Sequence, residues 1–208
     1  MNTKTHILTG LLILFTLTGN SQIKLGIKES INFTTQSELG MLWENNDIKT
    51  GFTLGATIDY RFHKTISLLT ELNYKREGLV YERDESTVKS KVNRNYDYYS
   101  IPILIKGRFS DELALPDEWM VSFFAGPYYS YLRSADSEEQ VSGITTVTNY
   151  DEESNQSDYG MVLGGEVARV FEKGELYLDM RYEMGLSDVV KNDDIKNKVI
   201  GIRLGYRF

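Results

Sequence analysis

The stretch "VIGIRLGYRF" at residues 199–208 keeps a strict rhythm of two. Ile200, Ile202, Leu204, Tyr206 and Phe208 fall on one side, and Gly201, Arg203, Gly205 and Arg207 on the other. Such alternation is the mark of a β-strand whose two faces meet different surroundings. Chain ends usually fray and carry polar residues, yet this one runs to Phe208 with its strand parity intact. The stretch predicts a complete strand with a greasy face and a face of glycine and arginine.

The same pattern recurs upstream and predicts eight strands in all. "QIKLGIKESINF" sets Ile23, Leu25, Ile27, Ile31 and Phe33 against Lys24, Gly26, Lys28, Ser30 and Asn32. "GFTLGATIDYRF" and "TISLLTELNYK" put Asp59, Arg61, Glu71 and Lys75 on the polar parity, and "YSIPILIKGRF" puts Lys106 and Arg108 there. "DYGMVLGGEVARVF" and "ELYLDMRYEMGL" contribute Glu166, Asp179, Arg181 and Glu183. "WMVSFFAGPYYSYL" is apolar on both parities, which leaves its register open. Glu29 falls on the apolar parity of the first strand, where a bulge or a rim position is expected. No long helical period competes, so the chain is read as all-β.

The connections alternate in length. Long polar segments lie at about 34–49, 82–95, 133–157 and 187–197, and shorter ones at His63-Lys64, "SDELALPDE" and "EKG". In an up-and-down barrel every second connection emerges at the same end, so the four long loops lie together, as in outer-membrane barrels. A soluble lipocalin-like barrel also alternates, with its apolar side chains inward. Glycine and mixed charges on the polar face, together with aromatics near the strand ends (Tyr60, Phe62, Tyr74, Tyr99, Phe109, Tyr131, Tyr159), favour lipid outside. The expected fold is an eight-stranded antiparallel up-and-down transmembrane β-barrel over residues 22–208.

The first 21 residues read as a cleaved secretory signal: Lys4, an apolar run from Ile7 to Leu17, then Gly19 and Ser21 at signal-peptidase spacing. That run is too short for a spanning helix. Its removal takes Lys4 away and shifts the formal net charge of −7 to −8. An acidic balance of 23 Lys+Arg against 30 Asp+Glu argues against a nucleic-acid partner, and the absence of cysteine removes disulfides, thiolate catalysis and a lipid-acylation site.

Eight strands leave an interior wide enough for side chains and little else. Buried charges there must be paired, and Glu71, Lys106, Arg181, Glu183 and Arg203 are expected to form an ion-pair network that plugs the lumen; a small gated pore is the alternative. No enzyme is expected. The mature chain retains only His63, placed at a tight turn on the periplasmic side, and serine hydrolysis needs a base held by an acid. Acidic loop clusters (Glu82, Asp84 and Glu85; Glu138 and Glu139; Asp151, Glu152 and Glu153; Asp193 and Asp194) lack the ligand spacing and glycine turn of a calcium loop. No metal or cofactor is expected.

The order of "GIKESINF", "ISLLTELNYKREG", "YYSIPILIKGRF", "FFAGPYYSYL", "DYGMVLGGEV", "LDMRYEMGLSD" and "GIRLGYRF" resembles the PorT-like outer-membrane β-barrel family of the Bacteroidota over essentially all of the mature chain. Ser30 stands where that family usually has glycine. The resemblance implies an outer-membrane barrel in contact with lipid, inserted by the barrel-assembly machinery, which reads a last strand ending in an aromatic; Leu204, Tyr206 and Phe208 would be that signal. It also implies a structural, adhesive or secretion-accessory role through the outer loops, with type IX secretion the activity of the family's namesake and a secretion or surface component the expected partner. It carries no catalytic motif.

Overall fold

Alternating apolar and polar residues favour extended backbone because each pleat then offers one face to each environment. The computed structural model describes residues 22–37, 48–85, 88–110, 113–141, 144–191 and 194–208. Its strands are β1 (Ile23–Ser37), β2 (Lys49–Arg61), β3 (Ile66–Glu85), β4 (Val88–Arg108), β5 (Trp119–Val141), β6 (Ile144–Asn149), β7 (Ser157–Phe171), β8 (Gly174–Gly185) and β9 (Lys196–Arg207). All neighbours are antiparallel, β9 pairs with β1 and β4 pairs with β5, so every strand except β6 belongs to one closed ring of eight. The expected cleaved leader, residues 1–21, lies outside the described residues.

The stagger of the ring follows from the pairing. From Glu29, directly paired residues lead through Leu54, Tyr74 and Tyr99 to Tyr131 in one direction, and through Leu204, Leu178 and Val167 to Val121 in the other. The two arrivals on β5 lie ten residues apart. A stagger of that size tilts the strands and fixes a narrow bore that side chains can fill.

Which face is lumen is decided by burial. Ile27, Ile31, Leu54, Leu72, Ile103, Phe123, Leu163, Met180 and Ile202 are exposed, whereas Lys28, Asp59, Glu71, Lys106, Glu166, Arg181 and Arg203 are buried. A soluble barrel with an apolar interior would show the reverse, so the lipocalin-like alternative fails. Tyr99, Tyr131 and Tyr159 mark one rim of the apolar band, and Tyr60, Phe109, Trp119 and Phe208 the other, all exposed. Paired N–H and C=O groups around the ring leave no open edge inside hydrocarbon.

Three expectations need correction. Residues 82–85 and 88–95 are strand rather than loop: β3 and β4 stay paired well past the band, and β5 likewise runs through the stretch expected to begin the 133–157 loop. A spanning strand needs about 9–11 residues, and β4 and β5 have 21 and 23. Together with β6 they form a crown of sheet beyond the barrel. At its base Asp97 pairs with Ser134 while Tyr98 pairs with Leu132, so Arg133 is an extra residue. This β-bulge flips the parity of β5, from Leu132 facing inward below it to Ala135 facing inward above.

Glu29 is the third correction. It sits at neither a bulge nor a rim, because β1 pairs without interruption from Ile23, opposite rim residue Tyr60, up to Thr34. Its carboxyl is exposed on the apolar wall between Leu54 and Leu204. A carboxylate facing lipid at that depth costs free energy, although less than a basic residue would. Glu29→Leu is expected to stabilise the folded barrel by about 1–2 kcal/mol, read as a higher urea midpoint in lipid vesicles; an unchanged or lowered midpoint would contradict the lipid-facing placement.

Candidate functional site

The lumen holds two clusters of buried charge. The upper one is built on β8, whose inward residues Asp179, Arg181 and Glu183 follow each other at the two-residue spacing of one face. Arg181 forks onto Glu71, with Nη1–Oε2 and Nη2–Oε1 both 3.0 Å, and its Nε and Nη2 donate to Asp179 at 3.0 and 2.7 Å. Two carboxylates on a single guanidinium use its planar geometry, which a lysine could not reproduce. Lys28 closes on the same Glu71. Arg203 donates to Glu183 at 2.6 Å and lies 4.0 Å from Asp179, and Lys75 bridges Glu183 at 3.3 Å and Glu77 at 2.9 Å.

The lower cluster lies toward the end of the barrel that carries the short turns, such as His63-Lys64 and the β7–β8 turn. Lys106 reaches Asp59 at 3.1 Å and Glu166 at 2.6 Å. Arg207 also binds Glu166, and donates from Nη1 to Glu175 at 2.9 Å, where Lys24 makes a further ion pair. The structure therefore brings Glu71, Arg181, Glu183 and Arg203 together, and places Lys106 in a separate network. Stagger explains the separation: depth in the lumen depends on strand offset, so residues of matching parity can sit at different levels.

Aromatic and aliphatic side chains share the space with the charges. Leu69, Leu104, Phe124, Tyr128 and Val162 form a buried apolar patch on the wall made by β3, β4, β5 and β7. Arg181 stacks 4.7 Å from the Phe124 centroid, Lys75 4.7 Å from that of Tyr128, and Arg207 3.7 Å from that of Tyr177. Gly205 is what lets Tyr177 lie flat: a Cβ there would overlap the ring. A second buried group, Tyr96, Tyr98, Leu132, Ala135 and Val189, fills the mouth under the crown.

Above the band, Lys49 donates to Asn93 Oδ1 at 2.6 Å and to the Arg94 carbonyl at 2.7 Å, tying β2 to the projecting hairpin. Burial lowers its ammonium to about 8, against the opposing pull of Glu138. Arg76 and Asp97 form a bidentate pair at 2.6 and 2.7 Å where the crown leaves the wall. Among the described residues β6 is the outermost strand of the crown and pairs with β5 alone, and it exposes all six of its residues, Ile144 at 72% and Val147 at 62%.

The remaining expected residues are placed simply. Leu204, Tyr206 and Phe208 point outward along β9; the Tyr206 and Phe208 rings meet edge to face at 5.1 Å, and the Phe208 N–H donates to the Leu25 carbonyl at 2.8 Å. His63 lies in the exposed β2–β3 turn, where Nδ1 accepts from the Thr65 N–H at 3.5 Å. Among the described residues no three histidine or acidic side chains converge as a metal set. Glu175 and Glu77 were not anticipated as network members, although both fall on the inward parity of their strands. Parity extended two inward steps from Asp179 toward the "EKG" turn and one inward step from Lys75 up β3 reaches them.

A closed ring of eight strands, apolar outside and ion-paired within, defines an outer-membrane β-barrel, and the outer membrane is its location. The profile of the outer membrane protein β-barrel domain family matches residues 16–191, and the chain belongs to that family. No curated protein matches the chain in sequence. Among solved structures, the outer membrane protein OprG from Pseudomonas aeruginosa is similar with a TM-score of 0.50 at 11% identity, over 89% of this chain and 94% of that one. Neisserial surface protein A is similar with 0.47 at 14%, over 88% and 97%. The attachment invasion locus protein Ail of Yersinia pestis gives 0.41 at 16%, over 90% and 98%.

Proposed function

We propose that this barrel is a non-enzymatic surface protein that carries its crown as an adhesive or binding platform. The observation that supports this is β6, a strand of neutral, β-favouring residues with one edge unpaired and no covered face among the described residues. Unpaired strand edges recruit extended polypeptide, and proteins usually blunt them with charge or cover. The lumen serves as a filled core rather than a conduit, since Lys106, Arg181, Arg203 and Arg207 are all buried and held by acids. Conductance above leak in planar bilayers would contradict that part of the reading.

The chain is exported by its leader, and the outward aromatics of β9 serve as the signal read by the barrel-assembly machinery. Deleting Phe208 is expected to reduce the heat-modifiable form recovered from the outer membrane; full recovery would remove the signal role. The PorT-like resemblance supports a second reading, a secretion-accessory role in a type IX system. Because the sequence has no cysteine, single thiols separate the two. A photocrosslinker on Thr146→Cys, in β6, is expected to give adducts on intact cells, and one on Lys173→Cys, in the β7–β8 turn, none. Adducts confined to Lys173→Cys would replace the surface reading with the periplasmic one.

A further inference from the structure

We propose that the periplasmic mouth of the barrel binds an oxyanion of the phosphate class between Arg61, Arg108 and Lys64. Arg61 and Arg108 are the last inward positions of β2 and β4, one inward step below Asp59 and Lys106; on the intervening β3, Arg61 is paired with Ser67, and the Arg108 N–H donates to the Thr65 carbonyl at 2.8 Å. The acids nearest to them are already engaged. Asp59 and Glu166 hold Lys106, and Glu166 and Glu175 hold Arg207, with Lys24 also on Glu175.

Among the described residues neither guanidinium has a hydrogen-bonded or ion-paired partner. Nε of Arg61 and both Nε and Nη2 of Arg108 are buried without an acceptor among the described residues. Buried N–H groups of a cation are costly when left unmet, and the two guanidiniums repel each other across β3. Arg108 also lines a cavity of about 200 Å³ together with Lys64, Ser110, Asp117, Trp119 and Met120. That is smaller than a site for a drug-sized ligand and suits a small anion.

The wall chemistry matches. Guanidinium forks bind phosphate oxygens in pairs, and a lysine adds a mobile point charge. Ser110 Oγ accepts from the Val121 N–H at 3.3 Å, so its own hydrogen is available to donate into the cavity. Among the described residues of the lining, Lys64 and Arg108 stand against one acid, Asp117, and no ion pair joins Asp117 to Arg108. Trp119 lies at the rim where phospholipid headgroups of the inner leaflet meet the barrel. The anion can therefore come from a headgroup or from solution.

The test uses Trp119 as a reporter in the full mature chain, with Trp43→Phe removing the other tryptophan, folded in lipid-free dodecyl maltoside. Inorganic phosphate is titrated against chloride at equal ionic strength, and in a second arm short-chain phosphatidylglycerol against the matching uncharged diacylglycerol. A saturable change with phosphate assigns a soluble anion, and a change only with phosphatidylglycerol assigns the headgroup. No response in either arm beyond its control overturns the site. Arg108→Gln is expected to weaken the response about tenfold, the loss of one charge-assisted fork, and Lys64→Gln, on the exposed turn, less. Folding of each variant is checked by heat modifiability, and if Arg108→Gln does not fold, Lys64→Gln decides. Unchanged affinity in the folded variants also overturns the proposal.

Discussion

Arg181→Leu is expected to destabilise the barrel by about 3–5 kcal/mol, because it strands buried carboxylates rather than merely deleting contacts. Glu71 would keep Lys28, but Asp179 would retain only Arg203 at 4.0 Å. The Phe124 ring would also lose the guanidinium stacked on it. The loss should appear as a lower urea midpoint in vesicles and a smaller unboiled, fast-migrating fraction on gels. The companion Asp179→Leu is informative. In the double variant the stranded charge is gone while Glu71 stays paired, so much of the lost stability should return. If the double variant is as unstable as the sum of the two singles, the upper cluster is not the coupled unit its geometry describes.

Gly205→Val is expected to cost at least about 3 kcal/mol, at the upper end of overpacking penalties. The new Cβ would collide with the Tyr177 ring, which is sandwiched between β9 and the Arg207 guanidinium. The ring cannot yield without uncovering Arg207, and Arg207 cannot yield without releasing Glu166 and Glu175. Tyr177→Ala removes the obstacle, so Gly205→Val combined with Tyr177→Ala should be less damaging than the two changes added together. Urea midpoints of the four proteins in the cycle decide it. Strict additivity would mean that the glycine is retained for some reason other than the ring.

The wall of the barrel was legible in the sequence because a lipid-facing and a lumen-facing residue must alternate, and period two survives in any window. Asp179, Arg181 and Glu183 announce their side of β8 without help from any other strand. Who meets whom was not legible. Pairing depth depends on the ten-residue stagger, which is a property of the closed ring, so period two alone does not separate Lys106, on Asp59 and Glu166, from the residues around Arg181. "WMVSFFAGPYYSYL" hid its register because Phe124 and Tyr128 pack on lumen cations while Phe123 and Tyr129 face lipid. The crown was hidden for a different reason: outside the membrane no apolar face is demanded, so "VKSKVNRNYDYY" folds into strand without displaying alternation. Glu29 was noticed as an exception, and the sequence offered no way to tell a misplaced charge from a bulge.

The extra residue at Arg133 separates two regimes of constraint. Below it, a single inserted residue in β5 would turn lipid-facing side chains into the lumen for the rest of the strand. Above it, the phase has already been reset, and an insertion alters only the shape of the crown. Arg76 and Asp97 clamp the base of that joint. The protein is thus divided into a conservative socket and an interchangeable head. Crowns of other lengths and surfaces can be exchanged above the joint without changing the register of the wall, provided that the ties from Lys49 to Asn93 and Arg94 and the packing of Val189 in the mouth are kept.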